Sequence, residues 1–260
     1  INSFAFLFDI NKMKDMVTQK LEEKKSELIE EYKNKSKQEL DNAMKRTENE
    51  IPGYMKVLSM FKEIGIWETY PNYSDYTVSG VKVRGLDFTF NPGLLYIKAS
   101  GLNNLDKIPD SVFSRNLYAG SIGIGAKENS HFHLTYMKSY DREASLDLSK
   151  VPSNITPGEN TLLGTDGKLK LFKERFTLET EAAVTVTTRD KLAPRLAAGD
   201  IPSIVEDLTN ANTSSQYDFM YRIKSDIKIP ESKSNIGFEY KLIGPGFISY
   251  GAPGISGRGK

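Results

Sequence analysis

The chain has 260 residues, a formal net charge of +1, no cysteine and 13 each of Tyr and Phe. Balanced charge gives no electrostatic support to a nucleic-acid partner, and the absence of thiols excludes a disulfide framework and thiolate chemistry. No apolar run approaches the roughly 20 residues of a membrane-spanning helix, so any membrane crossing must be made by strands. The first residue is Ile1, the apolar stretch Phe4–Phe8 follows no basic segment and does not read as a secretory leader, and the end from Gly254 to Lys260 is glycine-rich. These ends read as those of an internal piece of a longer protein.

Residues 1–10 hold a possible short strand, with Phe4, Phe6 and Phe8 on one face. Residues 11–70 read as a helical arm or insertion. From Asn11 to Glu50 the residues are strong helix formers. Val17, Leu21, Leu28, Tyr32, Leu40, Ala43 and Met44 draw a thin apolar stripe through a charged surface. The charges read as a solvated face, and the stripe is too narrow for a core helix, so the helix either projects into water or packs against one partner. Pro52-Gly53 interrupts the pattern. A second helix is predicted through Tyr54, Val57, Leu58, Phe61, Ile64 and Trp67, ending at Tyr70-Pro71-Asn72.

Residues 71–260 read as β structure. Strands are predicted at 78–90, 93–100, 117–126, 130–139, 161–172, 175–188, 217–229 and 234–243, with a short one at 247–250. Short connections at 91–93, 127–129 and 173–174 alternate with long ones at 101–116, 140–160 and 189–216. An antiparallel meander in a membrane barrel has that asymmetry between its two rims.

Two strands carry the strongest signal. In 175–188, Phe176, Leu178, Ala182, Val184 and Val186 share one parity, broken by Thr180, against Thr177, Glu179, Glu181, Ala183, Thr185 and Thr187. In 217–229, Tyr217, Phe219, Tyr221, Ile223, Ile227 and Ile229 oppose Asp218, Arg222, Lys224, Asp226 and Lys228. A period of two places one face of the sheet in an apolar medium and the other in a polar one. The polar parity of 175–188 is mostly small, as a crowded barrel interior requires. Glu179, Glu181, Thr185, Arg222 and Lys224 are therefore expected to line a lumen. Phe176, Leu178, Val184, Val186, Phe219, Tyr221 and Ile223 are expected to face lipid. Gly120, Gly123 and Gly125 within one strand point to tight curvature or close backbone approach.

Six segments, in this order, resemble outer-membrane β-barrel proteins of Bacteroidota and related bacteria. They are FNPGLLYIKASG (Phe90–Gly101), RNLYAGSIGIG (Arg115–Gly125), SHFHLTYMKSYD (Ser130–Asp141), TPGENTLLGTDGKLKLF (Thr156–Phe172), EAAVTVTTRD (Glu181–Asp190) and IGPGFISYGAP (Ile243–Pro253). The resemblance covers roughly residues 78–253 and implies a location and an architecture, not an activity. The expected fold is a mainly β, antiparallel up-and-down transmembrane barrel, partial, with about 8–9 strands visible and a long-helix segment before it.

Chemistry is thinly represented. His131 and His133 are the only histidines and share a strand face. Two ligands are too few for a metal site, and Glu128, Asp141 or Glu143 could join only through a particular loop geometry. Glu179 and Glu181 could act as a carboxylate pair, but a charge ladder bracing the lumen is the simpler role. Gly120-x-x-Gly123-x-Gly125 lacks the Lys-Ser/Thr of a phosphate loop, and no serine elbow is visible. No catalytic residue, cofactor or metal site is expected.

The expected function is an outer-membrane structural or assembly component, bound by outer-membrane lipid, whose residues 11–67 reach a periplasmic or envelope partner. Two alternatives stand beside it. One is a transport channel with a polar lumen. The other is a soluble lipid- or ligand-binding barrel with its apolar parity turned inward.

Overall fold

The computed structural model describes residues 6–8, 15, 18–20, 22–27, 53–150, 152–196, 209–229 and 234–254. Ten strands follow in chain order: β1 (Phe6–Phe8), β2 (Phe61–Thr69), β3 (Val83–Phe90), β4 (Leu95–Leu105), β5 (Arg115–Ile124), β6 (His131–Asp141), β7 (Glu159–Leu171), β8 (Phe176–Thr188), β9 (Ser215–Ile229) and β10 (Ser234–Ile243). Each pairs antiparallel with its sequence neighbours, so the fold is one ten-stranded meander. The mainly β, antiparallel expectation holds. Closure is another matter: among the described residues β1 and β10 do not pair, and the sheet is open. The three residues of β1 offer too short a ladder to close it, and β10 is exposed along nearly its whole length.

The N-terminal region departs from the sequence reading. Residues 15, 18–20 and 22–27 are helical, while most of the helix predicted over 11–50 lies outside the described residues. The second helix, α1, covers only Gly53–Leu58. Phe61, Ile64 and Trp67, predicted to continue it, belong to β2. Ile64 and Ile66 are β-branched and stiff at χ1, Gly65 weakens a helix, and β3 offers a partner from Val83 to Phe90. Tertiary pairing outweighs the local apolar spacing there. The segment 247–250 forms no strand.

Antiparallel order sorts the connections. Residues 91–94, 125–130 and 172–175 are short and lie at one rim, with the β9–β10 connection. Residues 70–82, 106–114, 142–158 and 189–214 lie at the other. The β1–β2 connection, which carries the helical residues, leaves from the short-turn rim.

Burial follows parity. On β8 Glu181, Ala183, Thr185 and Thr187 are buried, whereas Thr180, Ala182 and Val184 are exposed. The same division runs along β3 to β6, where Asp87, Lys98, Ser121 and His133 are buried while Leu86, Ile122, Phe132 and Leu134 are exposed. The sheet curls around its polar face.

Two chain segments fill the hollow from the long-loop rim. The β2–β3 connection brings in Tyr73, Tyr76, Val78 and Val81, and the chain after β10 brings in Phe247. They pack against Val83, Leu117, Ala119, Met137, Leu162, Ala183 and Met220 on the inner face of β3 and of β5 to β9. Two backbone bonds anchor the first segment, Tyr73 N–H to Val78 O at 2.9 Å and Ser79 N–H to Gly251 O at 2.8 Å. The Tyr73 hydroxyl donates to Ala119 O at 2.9 Å. An interior expected to be polar throughout therefore has an apolar layer. Met220 and Leu162 supply it because plug side chains, rather than water, face them.

Candidate functional site

The inner face near the short-turn rim holds the densest polar chemistry. Its geometry begins with two glycines. Gly123 lies opposite His133 in the β5–β6 ladder, and a Cβ there would collide with the Phe132 carbonyl oxygen and reach His133 Cα at 2.7 Å. Gly125 has a φ of +81°, and a Cβ would meet the Ser130 carbonyl and His131. Only glycine accepts that backbone and that approach together. The close approach expected of these glycines thus has a specific purpose: it sets the end of β5 against the histidine-bearing start of β6.

His131 and His133, two apart on β6, turn their rings inward and stack with centroids 4.4 Å apart at 16°. Tyr96 covers the other face of His133, with centroids 3.9 Å apart. Asp166 is the cross-strand partner of His133 on β7. Its Oδ2 lies 3.1 Å from His131 Nε2 and 3.4 Å from His133 Nδ1. The remaining ring nitrogens meet backbone carbonyls: His131 Nδ1 is 2.9 Å from Asn129 O, and His133 Nε2 is 3.0 Å from Gly125 O. A carbonyl only accepts, so each of those nitrogens carries a proton.

Two cavities adjoin the cluster. One of about 210 Å³ is bordered by His131, Asp166, Lys168, Glu179, Glu181 and Arg222. The other, about 340 Å³, is bordered by Glu63, Tyr96, Lys98 and Lys127. Lys98 is only 3% exposed and lies 2.8 Å from Glu63 Oε2 and 3.6 Å from Asp87 Oδ1. Lys127 reaches inward from the β5–β6 turn and donates to Tyr73 O at 2.6 Å. Burial pushes its ammonium below the ordinary lysine range, and the neighbouring Asp166 carboxylate opposes that shift.

The residues expected on the polar face do lie on one inner face, but they do not form the expected ladder. Glu181 stands opposite Arg222 and Glu179 opposite Lys224 in register. The ion pairs run elsewhere: Glu179 to Lys168 at 2.8 Å, Arg222 to Glu239 at 2.7 Å and Lys224 to Asp226 at 3.4 Å. Glu181 accepts from the Tyr76 backbone N–H at 3.1 Å and so holds the filling segment. Thr185 is 1% exposed; its hydroxyl donates to Ile248 O at 2.8 Å, beneath the chain after β10 rather than on a wet wall. On the other face, Val184, Phe219 and Ile223 are exposed, and Phe176, Leu178, Val186 and Tyr221 are half-buried.

Asp166 escaped the sequence reading. Its place opposite His133 depends on a register set across the 142–158 loop, which strand periodicity does not give. Of the carboxylates considered for that role, Asp141 pairs with Arg115 at 2.7 Å and Glu143 with Lys191 at 2.7 Å, while Glu128 borders the larger cavity. The signal available was parity, since Asp166, Lys168 and Lys170 alternate along one predicted strand. No family model, curated protein or solved structure matches the chain.

Proposed function

We propose that this chain forms part of the wall of an outer-membrane β-barrel with a filled interior, serving as a structural or assembly component of the envelope. The observation that carries the reading is the inversion of the sheet. Lys98, Asp87, His133 and Glu181 are buried on the concave face, while Ile122, Ile124, Phe132, Leu134, Leu163, Val184, Phe219, Ile223 and Ile227 are exposed on the other. Large apolar side chains exposed on every strand from β5 to β9 are what a lipid-facing wall requires.

Strand length and aromatic placement support the same reading. β7, β8 and β9 have 13, 13 and 15 residues, more than the roughly 9–11 a tilted membrane strand needs. Tyr70, Tyr118 and Tyr217 are exposed towards the long-loop rim, where amphipathic rings would meet the headgroups. The resemblance of residues 78–253 to Bacteroidota outer-membrane barrels points the same way. Under the usual orientation, short turns face the periplasm. The helical residues before β2 then extend from the periplasmic rim, where an envelope partner is reachable.

The two alternatives draw less support. A soluble ligand-binding barrel needs its apolar parity inside, opposite to the exposure of Val184 and Phe219. An open channel needs an unfilled interior, and Tyr73, Tyr76 and Phe247 occupy it. The test is carbonate washing of membranes bearing the full protein, followed by electrophoresis with and without boiling. A carbonate-resistant band that shifts on boiling is expected. Release by carbonate, with no shift and solubility without detergent, would overturn the reading.

A further inference from the structure

We propose that His131 Nε2, His133 Nδ1 and Asp166 Oδ2 bind one divalent transition-metal ion on the inner face of the sheet. Two adjacent strands, β6 and β7, bring these three ligand atoms together. Asn129 O and Gly125 O each take a proton from one ring. In neutral rings the other nitrogens carry lone pairs, and both point at the same carboxylate oxygen, 3.1 and 3.4 Å away. Three donor atoms thus converge, with His131 Nε2 and Asp166 Oδ2 at hydrogen-bond distance, 3.1 Å, from each other. A shared proton joins only two of these atoms, whereas one divalent cation can accept a lone pair from each. Two imidazoliums stacked 4.4 Å apart would repel each other. One cation satisfies all three donors and leaves both rings neutral.

The distances and surroundings fit an ion. Ligand bonds of about 2.0–2.2 Å set adjacent donor atoms about 3.0–3.5 Å apart, which brackets both observed separations. All three donor atoms lie within 4.8 Å of one another. Each imidazole is oriented by a hydrogen bond through its other nitrogen, the arrangement that metal-binding histidines use. His133 is buried between Tyr96 and His131. Parallel rings aim their lone pairs side by side, so seating the ion turns His131, the less buried of the two, towards Asp166. The cavity of about 210 Å³ beside His131 and Asp166 gives an entry path and room for water in the remaining positions. Two imidazoles and one carboxylate select zinc or a neighbouring first-row metal over magnesium or calcium.

The site does not depend on whether the outer face meets lipid, and its test is separate. The untagged full chain, folded in detergent, is dialysed against zinc chloride, with magnesium chloride as a parallel probe. One zinc per chain is expected, and no magnesium. Asp166→Asn and His133→Gln should each weaken zinc binding at least about tenfold. Cobalt(II) added to the wild-type protein should give visible absorption bands that zinc abolishes, a readout that needs no variant to fold. Absence of zinc binding with no cobalt bands, or zinc binding unchanged in folded Asp166→Asn, would overturn the assignment.

Discussion

Val184→Arg separates a lipid-facing wall from a water-facing one. Val184 is 51% exposed near the middle of β8, and its neighbours in register, Leu163 on β7 and Phe219 on β9, are 45% and 47% exposed. The substitution therefore places a guanidinium in the centre of an apolar row three strands wide. In water such a change at an exposed site is worth within about 0.5 kcal/mol. In a bilayer it costs about 2–4 kcal/mol near the midplane, or roughly 30- to 800-fold in the folding equilibrium. Thr177→Arg is the matched control, because Thr177 lies on the inner parity of the same strand opposite Asp226, which can pair with the new charge. Thr185→Arg, by contrast, should fail in either medium, since Thr185 is buried beneath Ile248. The assay is a urea titration of refolding into phospholipid vesicles, read by the shift between unboiled and boiled samples. The expected order of stability is wild type, then Thr177→Arg, then Val184→Arg. Equal midpoints for Val184→Arg and wild type, with the variant monodisperse in detergent-free buffer, would refute the lipid-facing assignment.

Three further outcomes follow from the interior. Gly123→Ala should destabilise by about 1–3 kcal/mol, because its Cβ meets the Phe132 carbonyl and His133. Gly120→Ala, whose Cβ would find only Lys98 O at 3.9 Å, should be tolerated; equal denaturation midpoints for the two would count against the close approach. Replacing residues 73–81 with a short Gly-Ser turn should convert a silent protein in planar bilayers into a conducting one, and continued silence with folding intact would deny that segment its filling role. Alkali should loosen the same filling. Burial pushes the phenols of Tyr73, Tyr76 and Tyr250 above their ordinary 10.0. Their contribution is fully present below pH 10 and is lost as the pH rises towards the raised folded values. Protease protection of residues 70–82 should accordingly fall above pH 10 in the wild type and fall less in Tyr73→Phe.

How far the sequence alone reaches can be read strand by strand. Period-two alternation in 175–188 and 217–229 sufficed to mark β8 and β9 and to separate their faces, because side-chain direction in a strand is a local property of the backbone. Short and long connections were legible for the same local reason, as turn residues break strands where they stand. The end of α1 was not legible: Phe61, Ile64 and Trp67 fit a helical spacing, and only pairing with β3 made them a strand. The filling by Tyr73, Tyr76 and Phe247 was equally hidden, since nothing local distinguishes a plug from a surface loop. The candidate metal cluster divides in the same way. His131 and His133 could be placed on one face from their spacing, but Asp166 joined them only through the β6–β7 register. Sequence by itself determined the strands from β3 to β10 and the two faces of β8 and β9, which depend on residues one and two positions apart. Tertiary structure decided the open sheet, its filled interior and the His–His–Asp grouping, because those depend on contacts between residues tens of positions apart, whose pairing no local preference specifies.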